Sequence, residues 1–197
     1  MKRLALFDFD GTITYKDTFL EFMKFYRGPA QFWLGMLRIS PWLVALKLKL
    51  VPNHKVKERA IRHFFAGETL EQFNAQAKAF CRQRMPALIK HDALAKIKEH
   101  QQAGDRVVIV SASAENWILP WAEQYGLEVL ATRLCTENGR IVGTLEGKNC
   151  HGEEKCVRVR SHINISEYAH IYAYGDTSGD REMLGMAHEP HYRVFRG

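Results

Sequence analysis

A chain of 197 residues, 46% of them apolar, makes one ordinary domain or a core with a small inserted one, and no repeat or low-complexity segment divides it. A net charge of +6 and a pI near 9.2 favour an anionic partner, whether phosphate ester, acidic lipid or nucleic acid, without choosing among them. Cys81, Cys135, Cys150 and Cys156 lack paired spacing and follow no signal peptide, which argues against a disulfide scaffold and against a zinc site at Cys150, His151 and Cys156. Reduced thiols in a cytoplasmic protein are the expectation.

The first element is the apolar run Leu4 to Phe9, which ends in Asp8-Phe9-Asp10-Gly11-Thr12. Such a run, bounded by glycine and hydroxyl residues, predicts a strand buried in mid-sheet. The turn at Gly11 places Asp8 and Asp10 in the crevice beyond the strand ends, where open α/β sheets bind ligands. Two carboxylates this close raise each other's pKa unless a cation lies between them, and hard oxygen ligands suit Mg²⁺. Taken alone, the string also suits a turn whose aspartates only bond backbone amides.

Asp17 to Tyr26 carries a helical apolar stripe, with Asp17 placed to cap its start and Gly28-Pro29 to end it. Phe32 to Val51 is the most apolar window. Arg38, Lys47 and Lys49 would each cost about 2.5–3.5 kcal/mol at a bilayer centre, so a membrane-spanning helix is not expected. Ser40-Pro41 predicts two short helices instead, packed within a helical subdomain or, alternatively, touching a membrane interface peripherally through residues 32–51. Lys55 to Phe65 and Leu70 to Arg84 read as further amphipathic helices, so residues 16–88 form an all-helical unit. Ala93 to Gln102 is the next helix, stopped by Gly104.

Val107 to Val110 predicts a second central strand that stops at Ser111-Ala112-Ser113. Trp117 to Tyr125 reads as a helix closed by Gly126, Glu128 to Ala131 as a short strand, and Arg133 to Leu145 as a hairpin turning at Asn138-Gly139. His170 to Tyr174 predicts a strand ending at Gly175-Asp176, and Tyr192 to Phe195 a last one. Strands alternating with helices argue for a mostly parallel sheet in an α/β fold.

The strand ends supply what a phosphoryl-transfer site needs. Ser111 offers a hydroxyl and Ala112 an amide. Lys155, at a helix start, offers a cation, and Asp176 and Asp180 offer further carboxylates. Singly, each also has a structural role as cap, surface charge or first-turn acid.

Together, Asp8-Phe9-Asp10-Gly11-Thr12, Ser111-Ala112-Ser113, Lys155 and Gly175-Asp176 through Asp180 resemble the four motifs of the haloacid dehalogenase superfamily of phosphohydrolases. The helical unit between the first two resembles the cap of its phosphoserine phosphatase-like branch. The resemblance implies a Rossmann-like, mostly parallel core formed by residues 1–15 and 89–197, with an inserted all-helical cap at 16–88. It implies that Asp8 attacks phosphorus to form an aspartyl-phosphate and that Asp10 acts as general acid and then base. Mg²⁺ would be held by Asp8, the Asp10 backbone carbonyl and Asp176, and phosphate oxygens by Ser111, Lys155 and the amides of Phe9 and Ala112. Asp180 would hold metal-bound water or orient Lys155.

Three departures from phosphoserine phosphatases stand out: Asp17 where they have glutamate, Gly179 where asparagine is frequent, and Ser111-Ala112 for serine-glycine. Asp17, Asn149 and His151 are the candidates for contact with the leaving group. The Trp-rich window, Gly152-Glu153-Glu154-Lys155 and the ending from His191 also resemble phosphatidylglycerophosphatase C-type proteins, implying a lipid-headgroup phosphate as substrate beside the small-molecule alternative. Phosphoserine hydrolysis, phosphotransfer from the same intermediate and non-catalytic anion binding are the other readings. No aromatic-basic motif supports nucleic acid.

Overall fold

Strand β1 (Arg3–Phe7) is buried along Leu4, Ala5, Leu6 and Phe7, so strands must flank both edges and helices both faces. The computed structural model describes residues 2–196. Strand β2 (Arg106–Ala114) pairs in parallel on one side of β1, with Phe7 opposite Ile109. Beyond it lies β3 (Glu128–Glu137), followed by β4 (Arg140–Glu146), which is antiparallel to β3. On the other side β5 (His170–Gly175) sets Tyr174 opposite Phe7, and β6 (Glu189–Tyr192) closes the edge in parallel. The order is therefore β4-β3-β2-β1-β5-β6, a mostly parallel Rossmann-like α/β sheet.

The period-2 pattern divides β1 between two cores. Ala5 and Phe7 face one cluster, and Leu4 and Leu6 face the other. The second cluster is covered by α7 (Glu153–His162) and α8 (Arg181–Gly185) through Cys156, Val159, Met183 and Leu184. The first holds α5 (His91–Gln102), α6 (Glu115–Ala122) and the helical block α1 (Thr18–Arg27), α2 (Pro29–Lys47), α3 (Asn53–Phe65) and α4 (Leu70–Gln83). Phe22 of α1 stacks on Trp117 of α6 at 4.8 Å and meets Phe65, Phe73 and Phe80 edge-on or tilted.

The chain enters and leaves this block side by side: Tyr15 N donates to Leu88 O at 2.8 Å and Lys90 N to Ile13 O at 2.8 Å. The hairpin braces the block from the far side, with Ile141 N donating to Glu68 O and Leu145 N to Glu58. As the pattern predicts, Asp17 caps α1 by accepting from Leu20 N and Gly28 ends it at φ 77°; Thr69 caps α4 by accepting from Gln72 N.

Four expectations are corrected. Residues 29–47 form one helix, not two halves. Pro41 cannot donate to Leu37 O, but Ser40 Oγ donates to that carbonyl at 2.7 Å, so the turn loses no partner. Among the described residues no helix is long and apolar enough to cross a membrane. β2 does not stop at Val110; it runs to Ala114 through a register shift against β3. Residues 128–137 form one strand, parallel to β2 at its start and antiparallel to β4 at its end. The last strand is 189–192 rather than 192–195: Arg193 turns at φ 54° and Phe195 folds back to stack on Tyr174 and Phe7.

Candidate active site

Because β1 and β5 are adjacent and parallel, the residues that follow them meet. Asp8 N extends the pairing by donating to Tyr174 O at 2.9 Å, which brings Asp8 beside Asp176. Thr12 Oγ lies 3.1 Å from both Asp8 Oδ2 and Asp176 Oδ1, one hydroxyl proton for two carboxylates. Carboxylate oxygens of Asp8, Asp176 and Asp180 lie within 4.8 Å of one another. Lys155, on the first turn of α7, puts its buried Nζ 2.5 Å from Asp8 Oδ1 and 2.6 Å from Asp180 Oδ1.

Asp180 is fully engaged. Its other oxygen accepts from the amides of Asp176 and Thr177 and from the Thr177 hydroxyl. Burial works against its charge, but Lys155 and Thr177 hold its pKa below the ordinary value. Burial also opposes the Lys155 charge, yet the two carboxylates outweigh it and raise that pKa. Burial pushes Asp8 up to about 7, with Lys155 pulling it down and Asp180 pushing it up, and burial raises Asp176 as well.

Asp10 points the other way. Its Oδ1 accepts from Thr18 N at 2.7 Å and Thr18 Oγ at 2.6 Å, and its Oδ2 from Ser113 Oγ at 2.5 Å. Burial and then the Asp17 charge raise it to about 6, against the bonds from Ser113 and Thr18. A carboxyl that titrates near neutrality at a cavity wall can both give and take a proton.

These groups line a cavity of about 490 Å³. Asp8, Asp10, Asp17, Ala112, Asn149, His151, Lys155, Asp176 and Asp180 of the sequence candidates stand on its wall. Phe9 does not: its ring packs edge-on against Trp121, and its carbonyl fixes the turn by accepting from Ile13 N and Thr14 N. Ser111 is fully buried, its oxygen accepting from Ser113 N at 3.0 Å, and its neighbours Ala112 and Ser113 reach the wall instead. Asn149 accepts from Thr132 and from Lys57. His151 lies against Gly179, where any Cβ would strike its ring; burial, then Lys155, lowers its pKa. The missing side chain at 179 is thus the space the imidazole uses.

Sequence reasoning missed Thr12, Thr18 and Ser113, which hold the carboxylates, and Lys90, whose Nζ donates to Gly11 O at 2.6 Å and to Phe195 O at 3.1 Å. It also missed Lys57 of α3, which reaches the cavity and donates to Ala112 O and, at 3.1 Å, to Asn149 Oδ1. Burial lowers its pKa to about 8, opposed by Asp10 and Asp17. Thr12 had a signal, since it stands inside the aspartate motif; Lys57 had none that separated it from Lys55.

Gly11 takes φ 81°, and a Cβ there would collide with the Asp176 carboxylate. Gly11→Ala is expected to destabilise the fold by about 1–3 kcal/mol and to lower activity by more than the lost folded fraction, because Asp176 must move. Thermal melts beside specific activity check this; a variant with normal activity per folded molecule would refute it.

A parallel α/β sheet with paired aspartates after its first strand, a buried lysine and further aspartates after a neighbouring strand defines a phosphoryl-handling hydrolase fold. Residues 5–185 match the haloacid dehalogenase-like hydrolase family, and the chain belongs to it. It is 41% identical over 196 residues to Protein CicA of Caulobacter vibrioides, covering 98% of this chain and 87% of that one. A crystal structure of a Bordetella pertussis protein of unknown function superposes with TM-score 0.85 at 23% identity, covering 96% and 89% of the two chains. Phosphoserine phosphatase in its apo form superposes with TM-score 0.69 at 20% identity, covering 98% and 86%. The protein is a hydrolase of this family.

Proposed function

We propose that the protein is a Mg²⁺-dependent phosphomonoester hydrolase working through an aspartyl-phosphate on Asp8. The observation that carries this is the Asp8–Asp176 pair drawn together by one Thr12 hydroxyl, while the nearest fixed cation, Lys155, is shared between Asp8 and Asp180. Asp8, Asp176 and Asp180 are three carboxylates with one directly ion-paired ammonium, Lys155, and the donors are hard oxygens, so the residues fit a divalent ion of the Mg²⁺ type. Asp8, Asp176 and the Asp10 carbonyl would hold it, and when bound it supplies the positive charge that lets anionic phosphate meet an anionic carboxylate.

In this reading an Asp8 oxygen forms a bond to phosphorus as the ester P–O bond breaks, and the leaving oxygen takes the Asp10 proton. Water then attacks phosphorus and gives a proton to Asp10 as the Asp8–phosphorus bond breaks. Lys155 neutralises charge growing on the phosphoryl oxygens, held in place by Asp180. Of the groups that the family motif offers those oxygens, Ala112 stands on the cavity wall and would donate its amide, while the buried Ser111 hydroxyl holds the turn by accepting from Ser113 N. Residues 16–88 act as the cap that receives the leaving group, with Asp17, Asn149 and His151 at its border.

The leaving group is a small molecule or a lipid headgroup, and the character of α2 supports the lipid. Its inner side gives the cavity Met36, Ile39, Leu43 and Leu46, while Trp33, Leu34, Leu37 and Val44 stand 58–70% exposed outside, beside Arg38 and Lys47. A helix of this kind suits peripheral contact with an acidic membrane surface.

A panel of phosphomonoesters, soluble and lysophospholipid-like, assayed with and without detergent, tests the reading. Phosphate release is expected in Mg²⁺, to fall to background in EDTA and to return when Mg²⁺ is restored. Product analysis with added alcohols separates hydrolysis from phosphotransfer. Release that ignores EDTA would defeat the metal-dependent reading.

A further inference from the structure

Lys57 carries a charge that no carboxylate of the described residues pairs with directly. Its ammonium has three protons; two go to neutral oxygens, Ala112 O and Asn149 Oδ1, and the third has no hydrogen-bond acceptor among the described residues. Lys155, by contrast, is ion-paired with two carboxylates. The Phe19 ring centroid is 5.4 Å from Nζ, so one side of the charge rests on an aromatic face. An enclosed ammonium left with neutral partners is held at a cost, and an anion in the cavity would remove that cost.

Its position says where such an anion would sit. Lys155 belongs to the Asp8 side of the cavity, while Lys57 stands on α3 of the helical block with its Nζ beside the Phe19 ring of α1. That block is assigned above to the leaving group, so Lys57 stands on the leaving-group side. Beyond it the wall is apolar, formed by Leu20, Met23, Met36, Ile39, Leu43 and Val56 of α1, α2 and α3. A wholly apolar leaving group would leave the ammonium unmatched, and a sugar-like one would find few partners on that wall.

We infer that Lys57 is the specificity-determining cation of the site, seating a second anionic oxygen group on a leaving group whose apolar remainder lies between α1, α2 and α3. This rests on the phosphatase reading above. A carboxylate and a phosphodiester share the required chemistry, and the two are separated by experiment.

Two pairs of phosphomonoesters serve as probes: 3-phosphoglycerate beside glycerol 3-phosphate, and an ester bearing a phosphodiester-linked acyl chain beside a plain alkyl phosphate of equal length. Wild-type protein is expected to prefer the acidic member of one pair, and that pair identifies the anion. Lys57→Met should collapse the acidic-to-uncharged ratio of kcat/KM by about 10- to 100-fold, mainly through KM, with Lys57→Arg retaining more of it. Calorimetry in an Asp8→Asn background reads binding without turnover, and adding Lys57→Met should weaken the acidic ester by a similar factor. Equal treatment of both members of both pairs, or a preference that survives Lys57→Met in kinetics and calorimetry, overturns the inference and leaves the phosphatase reading standing. If no ester is turned over in Mg²⁺, that reading fails instead, and the calorimetric arm still decides the anion at Lys57.

Discussion

Asp8→Asn abolishes phosphate release and leaves the protein folded: that is the expected result, with a loss of roughly 10⁴-fold or more, the scale at which removing a nucleophile leaves only binding and electrostatics. The substitution keeps side-chain shape, so Phe7 and Phe9 stay buried and the turn at Gly11 is undisturbed. It replaces one carboxylate oxygen by an NH₂ and removes the negative charge that the proposed attack on phosphorus requires. Asn still accepts from Lys155, and burial disfavours the charge of Asp8, so stability should change little. Single-turnover assays and melting curves in parallel separate the two effects. Retained turnover in a folded Asp8→Asn protein would remove the aspartyl-phosphate from the mechanism.

What the sequence displays is what the chain must do locally. An apolar run that ends in Asp8-Phe9-Asp10-Gly11-Thr12 can be little other than a central strand running into a ligand crevice, and its partners after β2 and β5 follow from the same logic. Pro41 misleads because the rule about proline counts its missing donor and not the Ser40 hydroxyl that takes over the orphaned carbonyl. The final strand is misplaced because Val194 and Phe195 are more apolar than Glu189 to Tyr192, although Phe195 spends its ring on Phe7 and Tyr174 rather than in a ladder. Lys57 is invisible for a different reason. Its neighbours Lys55 and Arg59 are exposed on the same helix, and only the long-range approach of α3 to Ala112 and Asn149 distinguishes it. Site residues read from a motif are those that neighbours in sequence define; those defined by packing between the helical block and the sheet are not.

Lys155→Met should cost both activity and fold, and the pH dependence of the second loss tests the electrostatic account. Lys155 is 1% exposed and neutralises Asp8 and Asp180 together, so its removal leaves two enclosed carboxylates without a cation. Breaking a buried pair of this kind costs about 3–5 kcal/mol, which in a protein of this size lowers Tm by about 6–20 °C. In the wild type Asp180 has a folded pKa below its unfolded value, so its contribution is present above that unfolded value and lost as pH falls. Without Lys155 the folded pKa values of Asp8 and Asp180 both rise, and the native state then binds more protons than the unfolded chain. Stability of the variant is therefore greatest in acid and falls as pH rises through the carboxylate range. The Tm gap between wild type and Lys155→Met, measured in EDTA so that no metal substitutes for the lysine, should be small near pH 4 and widen toward pH 7.5. A gap that stays constant across that interval would mean that Lys155 supports the fold by packing, and that Asp8 and Asp180 are not held as charges by it.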